Sequence, residues 1–183
     1  MLKLGNLQEK VLIGRLKLKD KEAFSQLYDY YLNKIYRFIY FKVASSTEAE
    51  DLAAQTFLKI WQLALEEKIK VGGSFQSLLY KVARNLVIDY YRSSSRTKNK
   101  ISLEEAAQIA AVNAPLDQAT DVKIAMEKIE QRLKKLKSEY QEIIVLHFIN
   151  ELTIKEIANI LEKKRGNVRV MLHRALKALK DTQ

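Results

Sequence analysis

The spacing of apolar residues constrains the fold of this chain more than any other feature. Apolar side chains recur at three- and four-residue steps along most of the sequence, which is the period of an amphipathic α-helix. Only one proline and five glycines occur in 183 residues, and these are the residues that a helix interior tolerates least. The sequence also has no long β-branched run of the kind that favours a sheet. We therefore predict an all-α fold.

Several helix starts are marked by residues that can cap a helix. We expect Asp20 to cap one helix. Three pairs fit the capping box, in which two side chains satisfy free backbone N–H groups: Thr47 with Glu50, Ser138 with Gln141, and Thr153 with Glu156. The stripe predicted to face inward after Asp20 is Ala23, Leu27, Tyr31, Ile35, Phe38 and Ile39. The stripe after Thr47 is Leu52, Phe57, Leu58 and Trp61.

A polar stretch divides the helical pattern into two blocks. It runs from Ser93 to Thr120 and contains Pro115, the only proline of the chain. A structureless loop of this length is unusual inside a compact domain. We predict two helical domains, residues 1–96 and 122–183, joined by a flexible linker over residues 97–121, with a short weak helix inside the stretch from Ser102. The first helix of the second domain is expected from about Val122 to Leu136.

Basic residues dominate both blocks. Residues 1–92 hold 15 Lys and Arg against 10 Asp and Glu, and residues 122–183 hold 14 against 8, whereas residues 93–121 hold 3 against 4. Two basic blocks around a nearly neutral connector fit two modules that each meet a polyanion. A basic surface can also serve solubility alone, so charge leaves nucleic-acid binding and a solvated surface both open.

The sequence lacks the residues that most enzyme chemistry needs. It has no cysteine, which excludes disulfides, cysteine-bound zinc and thiol chemistry. It has no glycine-rich phosphate loop, no cluster of metal ligands, and only two histidines, His147 and His173. We expect no catalytic residue, no metal and no cofactor. No stretch has the length of a signal peptide or a membrane span, so we expect a cytoplasmic protein.

The last two predicted helices have the proportions of a helix-turn-helix. A short turn from Glu162 to Gly166 precedes a final helix with an apolar stripe at Val168, Leu172, Ala175, Leu176 and Leu179. In a helix-turn-helix the opposite face would meet DNA, with Arg on guanine and Asn on adenine or phosphate. That face carries Arg165, Asn167, Arg169, Val170, His173, Arg174 and Lys177. A solvated basic face on a packing helix is the alternative.

The segment Tyr140–Leu179 reads YQEIIVLHFINELTIKEIANILEKKRGNVRVMLHRALKAL. It closely resembles the C-terminal promoter-binding domain (region 4) of bacterial sigma factors of the extracytoplasmic-function class. The resemblance implies that Arg169, Val170, His173 and Arg174 contact the −35 element. Met171 stands where relatives often have a basic residue.

Residues 20–96 resemble the other conserved domain of the same family, region 2. The matching strings are AFSQLYDYYLNKIYRF, EAEDLAAQTFLKIW and FQSLLYKVARNLVIDYYRSSSR. In the family, the helix that corresponds to Thr47–Gln62 binds a coiled coil of the largest polymerase subunit. The resemblance implies a polymerase contact at Glu50, Asp51, Gln55 and Lys59. Acidic groups inside a basic domain suit a protein partner better than DNA, although a solvated helix face would look similar.

The predicted helix from Phe75 to Arg96 has a different outer face. Basic side chains there can hold phosphates, and Asn and Asp can bond to unpaired bases. In the family this helix captures bases of the non-template strand at the −10 element. The resemblance implies such a role for Lys81, Arg84, Asn85, Asp89 and Arg92. Phe75 and Tyr90 are expected in the core.

Together these patterns predict a sigma factor that binds core RNA polymerase and directs promoter-specific initiation at −35 duplex and −10 melted DNA. An anti-sigma factor is a further candidate partner. Two alternatives stay open at this point. One is a plain helix-turn-helix repressor or activator, and the other is an interaction protein that binds polymerase or RNA without reading DNA.

Overall fold

The computed structural model describes residues 5–43, 45–69, 74–98, 129 and 131–181, and every regular element in these ranges is helical. The helices are α1 (Asn6–Lys17), α2 (Lys21–Val43), α3 (Ser46–Leu65), α4 (Phe75–Lys98), α5 (Ser138–Ile144), α6 (Ile154–Leu161) and α7 (Arg165–Lys180). Helix α5 continues directly into a π-helical turn, Val145–Ile149. The all-α prediction is confirmed. Most of the expected linker and the short helix predicted from Ser102 lie outside the described residues.

Helices α1 to α4 form an N-terminal bundle around α2. All six residues of the predicted α2 stripe are at most 2% exposed. Tyr28 of α2 packs edge-on against Phe57 of α3, with ring centroids 4.7 Å apart. Helix α1 was not predicted, yet Leu12 and Leu16, at four-residue spacing, are buried against the bundle. The N-terminal module thus includes a short helix that the sequence pattern does not predict.

A second, smaller module is built from the helical residues 131–134, α5, the π-helical turn, α6 and α7. Its core contains Leu133, Ile143, Leu146, Ile157, Ile160, Val168 and Ala175, all at most 2% exposed. The π-helical turn is closed by the Asn150 N–H, which donates to the Val145 carbonyl over 3.0 Å. Of the helix predicted from about Val122 to Leu136, residues 129 and 131–134 are helical, and residues 122–128 are outside the description.

Two of the four predicted caps are correct. Asp20 Oδ1 accepts from the backbone N–H groups of Glu22 and Ala23 at 2.9 and 3.2 Å. Thr153 and Glu156 form the reciprocal capping box.

The other two predicted caps are wrong. Helix α3 begins earlier than expected, and Ser45 caps it by accepting from the Glu48 N–H. Ser138 is already the first residue of α5, and the N-cap residue is Lys137, which makes no side-chain capping hydrogen bond. The Gln141 side chain does not reach back to the cap, because it donates to the Phe41 carbonyl of α2 over 2.7 Å.

Three further predictions need correction. Helix α4 runs to Lys98, past the expected end at Arg96, so the start of the polar stretch is helical. Leu58 does not face inward, because it lies one residue, or about 100°, past the buried Phe57 on the helix, and it is 61% exposed. Gly166, predicted to end the turn, lies inside α7. The residue of the turn with a left-handed backbone is Glu162, with φ of 54°.

The two modules are in direct contact. Helix α6 packs on α4, and the π-helical turn packs on α2. The buried Asn150 donates from Nδ2 to the Lys34 carbonyl over 2.8 Å. The Tyr91 hydroxyl donates to the Lys42 carbonyl over 2.6 Å, so side chains from both modules satisfy carbonyls near the free C-terminal end of α2.

The cap of α2 gives a prediction about stability. A hydrogen bond from Arg15, followed by the backbone N–H of Ala23, holds the pKa of Asp20 below its usual value. Asp20 therefore stabilises the fold while it is ionised, and this contribution is lost as the pH falls through its lowered pKa. We expect Asp20→Ala to lower the thermal unfolding midpoint by a few degrees at neutral pH. The difference from the wild type should shrink below about pH 4. A difference that stays constant down to pH 2 would contradict this origin.

Candidate nucleic-acid interface

Helix α7 presents the face predicted for duplex DNA. All seven predicted residues are exposed: Arg165, Asn167, Arg169, Val170, His173, Arg174 and Lys177. Fully buried Val168 and Ala175 fix the opposite side of the helix against the module. Of the predicted inner stripe, Leu172 and Leu179 are half-buried, and Leu176 is exposed instead. The helix is therefore held by one side and leaves a basic surface open along its whole length.

The angular positions of these residues around the helix decide which part of a DNA groove each side chain can contact. On an α-helix, Gly166, Arg169, Val170 and His173 follow one line at three- and four-residue steps. Arg174 lies about 140° around the helix from Arg169. When a helix lies in the major groove of DNA, the side chains at the centre of its DNA-facing surface meet base edges on the groove floor. The side chains on its flanks meet phosphates at the groove walls. Arg169 and Arg174 therefore cannot both point to the floor.

Helix α3 presents a chemically different face. Glu50, Asp51, Gln55 and Lys59 are all exposed, as predicted for a surface contact. Leu58 and Leu65 are exposed among them, although the sequence had placed Leu58 in the core. Apolar side chains ringed by polar groups are typical of a surface that binds protein. Leu58 and Leu65 are thus interface candidates that the sequence pattern missed.

The outer face of α4 is only partly open. Asn85, Asp89 and Arg92 are exposed, and Arg92 lies 4.0 Å from Asp89. Ile88 and Tyr91 are exposed beside them, whereas Phe75 and Tyr80 are buried and Tyr90 is half-buried. Lys81 and Arg84 also lie on this outer side, but the second module partly covers them. The predicted strand-binding residues therefore share one side of α4, in two environments.

Five charged side chains lie where the two modules touch, and we term them the interdomain charge contact: Lys42, Lys81, Arg84, Glu142 and Glu162. Lys81 Nζ lies 2.8 Å from Glu162 Oε1, and Arg84 Nε lies 3.0 Å from Glu142 Oε1. Lys42 Nζ forms an ion pair with the same Glu142 Oε1, at 3.8 Å. Glu142 and Lys42 are nearly buried, with side chains 7% and 9% exposed.

Electrostatics differ between the two ends of this contact. Burial lowers the pKa of Lys42, and the neighbouring Glu142 carboxylate opposes that change. A hydrogen bond from Lys81 lowers the pKa of the exposed Glu162 carboxyl. Glu142 thus balances two cations in a desolvated place, while Glu162 forms a solvated pair.

No resident ion or lipid-spanning element is indicated by the described part of the chain. Its His, Asp and Glu residues form no group of three that could hold a metal. Each helix in that part is too short or too polar to span a bilayer. His147, half-buried, places Nδ1 2.9 Å from the Leu152 carbonyl, a structural hydrogen bond.

Comparison with known proteins gives two family matches and several relatives. The model for sigma-70 region 2 matches residues 27–97, and that for sigma-70, region 4 matches residues 126–179. The chain is 30% identical over 176 residues to the ECF RNA polymerase sigma factor SigW of Bacillus subtilis, covering 92% of both chains. It is 28% identical to the ECF RNA polymerase sigma factor BldN of Streptomyces coelicolor over 92% of its own length, but spans 63% of BldN.

Solved structures with the same fold include CnrH and RpoE. CnrH in complex with the cytosolic domain of CnrY superposes with a TM-score of 0.72 at 18% identity, covering 94% of this chain and 95% of that one. The sigma factor RpoE, in complex with the anti-sigma factor NepR from Bartonella quintana, gives a TM-score of 0.67 at 19% identity, covering 87% and 95%.

Proposed function

Because this chain belongs to the ECF class of bacterial RNA polymerase sigma factors, we propose that its three exposed faces divide promoter recognition among them. As a sigma factor it binds core RNA polymerase and directs initiation at promoters, and it is not a catalytic enzyme. The observation that carries the division is that α3, α4 and α7 expose chemically different surfaces. A plain helix-turn-helix repressor has no reason to carry sigma-70 region 2, which matches here.

We assign the N-terminal domain, residues 1–96, to polymerase and −10 DNA, and the C-terminal domain, residues 122–183, to −35 DNA. The connecting residues 97–121 would span the distance between the two elements. An anti-sigma factor is a proposed further partner, since the structural neighbour RpoE is in complex with the anti-sigma factor NepR. A cytoplasmic location follows from this role.

Helix α3 is the proposed polymerase contact. Its exposed leucines supply apolar area, and Glu50, Asp51, Gln55 and Lys59 supply polar bonds around it. A protein partner uses both, because the apolar centre gives affinity and the polar rim sets the register.

Reversing the charge of this face should weaken polymerase binding. We expect Asp51→Arg with Gln55→Arg to lower affinity for core polymerase at least tenfold, while −35 duplex binding by the full chain is unchanged. Gln26→Arg with Asp29→Arg, on the exposed side of α2, makes the same chemical change elsewhere and serves as the control. Fluorescence anisotropy with labelled protein measures the affinity of each variant for core polymerase and for the −35 duplex. Equal core affinity of the test and control variants would exclude α3 as the contact.

The open part of α4 is the proposed site of strand capture. Asn85 and Asp89 lie one turn apart and can bond to the edges of unpaired bases, while Arg92 can hold a phosphate. Unpairing a base costs a few kcal/mol, which its capture by protein offsets. Promoter opening on this proposal needs binding energy and no hydrolysis.

Loss of the two base-bonding groups should impair opening more than duplex binding. We expect Asn85→Ala with Asp89→Ala to reduce permanganate reactivity of −10 thymines in the holoenzyme complex severalfold, with little change at the −35 element. Asp29→Ala with Asn33→Ala removes the same residue types at the same spacing from α2 and should leave the footprint unaltered. A wild-type footprint for the α4 variant would remove these residues from the site.

Helix α7 is the proposed reader of the −35 element. Arg169 lies on the line that faces the groove floor, so we assign it to a base, and we assign Arg174, on the side, to a phosphate. Arg165, Asn167, Val170, His173 and Lys177 complete the surface. Backbone contacts position such a helix, and base contacts give it specificity.

The two arginines should therefore differ in their effects. Arg169→Ala is expected to cost about 1–3 kcal/mol at one base pair and to relax preference there. Arg174→Ala should weaken all sequences alike and lower the salt slope by about one. Titration of the full chain against a −35 duplex and its single-base variants, at several salt concentrations, separates the two. The assignment fails if Arg169→Ala weakens every variant equally.

A further inference from the structure

Helix α7 contains a glycine that the fold itself does not need. Glycine is the least favourable residue in a helix after proline, and Gly166 is the second residue of α7. It does not adopt the left-handed backbone that glycine enters most freely. Among the described residues, no atom outside its own stretch of helix lies within 4 Å of a Cβ added there. Neither a turn nor close packing in the described part of the chain accounts for this glycine.

Gly166 lies at the centre of the open face of α7. The buried residues that fix the helix, Val168 and Ala175, are two and nine positions further along. They therefore lie about 200° and 180° around the helix from Gly166, which points directly away from its own module. Val170 and His173 lie within about 40° of the same direction. A surface that meets the open face of α7 meets it at Gly166.

A helix that enters the major groove has little spare room. The groove is about 12 Å wide, and an α-helix with its side chains is about 10–12 Å across. The side chains at the centre of the DNA-facing surface therefore limit how deeply the helix can lie. A recognition helix meets base edges with its N-terminal residues, and Gly166 is in the first turn of α7. Without a side chain at this position, the backbone itself can approach the bases.

Val170 lies one turn further along the same face and differs from its neighbours in chemistry. Its apolar side chain is 49% exposed among Arg169, His173 and Arg174. Valine is a weak helix former and offers no hydrogen bond. In the major groove, however, an apolar side chain can contact the 5-methyl group of thymine. The valine side chain is short and stiff, so it makes this contact only if the helix lies close to the base.

We propose that Gly166 is a positioning residue, whose missing side chain lets α7 lie deep enough in the major groove for Val170 to contact a thymine methyl group of the −35 element. This inference rests on the proposed role of α7 in −35 binding. It adds to that role a residue that has no side chain of its own and acts through the depth of the helix.

The depth of the helix affects its contacts unequally. Long cationic side chains such as those of Arg174 and Lys177 can extend to follow a phosphate when the helix is raised. Val170 cannot follow a base, because its side chain has only one rotatable bond. A methyl group at position 166 should therefore remove the base contact and leave the phosphate contacts in place. The result is a loss of sequence preference with an unchanged salt dependence.

The test uses the full chain and a duplex that the wild type enriches from a randomised DNA pool. Each thymine of this duplex is replaced in turn by deoxyuridine, which lacks only the 5-methyl group. Fluorescence anisotropy at several salt concentrations measures affinity, and circular dichroism measures the thermal unfolding midpoint. We expect the wild type to bind about three- to fivefold more weakly when one particular thymine is replaced, as burial of one methyl group implies.

Gly166→Ala should bind the thymine duplex about three- to fivefold more weakly than the wild type and should not distinguish thymine from uracil at that position. Its salt slope should equal that of the wild type. Its unfolding midpoint should stay the same or rise, because alanine fits a helix better than glycine. Val170→Ala should lose the same preference for thymine over uracil.

Gly14→Ala is the matched control. Gly14 is also an exposed glycine inside a helix, in α1, and the described residues leave the same free space around an added Cβ. We expect this variant to gain stability at least as much as Gly166→Ala does. Its affinity for DNA and its preference for thymine over uracil should be those of the wild type.

Five results would overturn the inference. The wild type could bind every deoxyuridine duplex as tightly as the thymine duplex. Gly166→Ala could keep the wild-type affinity, or it could weaken all duplexes equally and keep the preference for thymine. A lowered unfolding midpoint of this variant would mean that the fold needs the glycine. A preference for thymine that survives Val170→Ala would place the methyl contact on another side chain.

Arg169→Ala separates this inference from the proposed function. If this variant relaxes preference at one base pair while Gly166→Ala changes no affinity, α7 reads −35 DNA and Gly166 does not set its depth. If neither Arg169→Ala nor Gly166→Ala changes any sequence preference, the assignment of α7 to the −35 element is wrong, and the inference falls with it.

Discussion

The burial of one continuous apolar stripe along α2 organises the whole molecule. Helices α1, α3 and α4 all pack against α2, and its inner residues are almost fully excluded from water. Helix α2 is 23 residues long. The π-helical turn of the second module also packs on it. Removal of this stripe from water is the driving force that fixes both modules to one axis.

The sequence correctly predicts the features whose signal is local. The α2 stripe, the Asp20 cap and the Thr153–Glu156 capping box depend on neighbours within four residues, and all three are present. The prediction is wrong where a side chain has two possible hydrogen-bond partners. Gln141 fits a capping box by spacing, but a distant carbonyl of α2 takes its amide instead.

The candidate site shows the same division. Exposure of the α7 and α3 faces followed from helical periodicity, because a stripe fixed on one side leaves the other side open. Leu58 was misplaced by a single position, since an apolar residue next to a buried one looks like core in the sequence. The partners of Lys81 and Arg84 could not be predicted from the sequence. Residues that are 81 and 58 positions apart leave no periodic pattern that would indicate an ion pair.

The π-helical turn has a consequence for how the second module grips the first. Gln141 and Asn150 both donate to carbonyls of α2, yet nine residues of regular α-helix would rotate through about 900° and leave them on opposite sides. A wider turn holds more residues per revolution, so it changes the angular phase between the two amides. The extra residue in Val145–Ile149 acts as a phase correction. It allows a short helix to hold one neighbouring helix at two points with the same type of side chain.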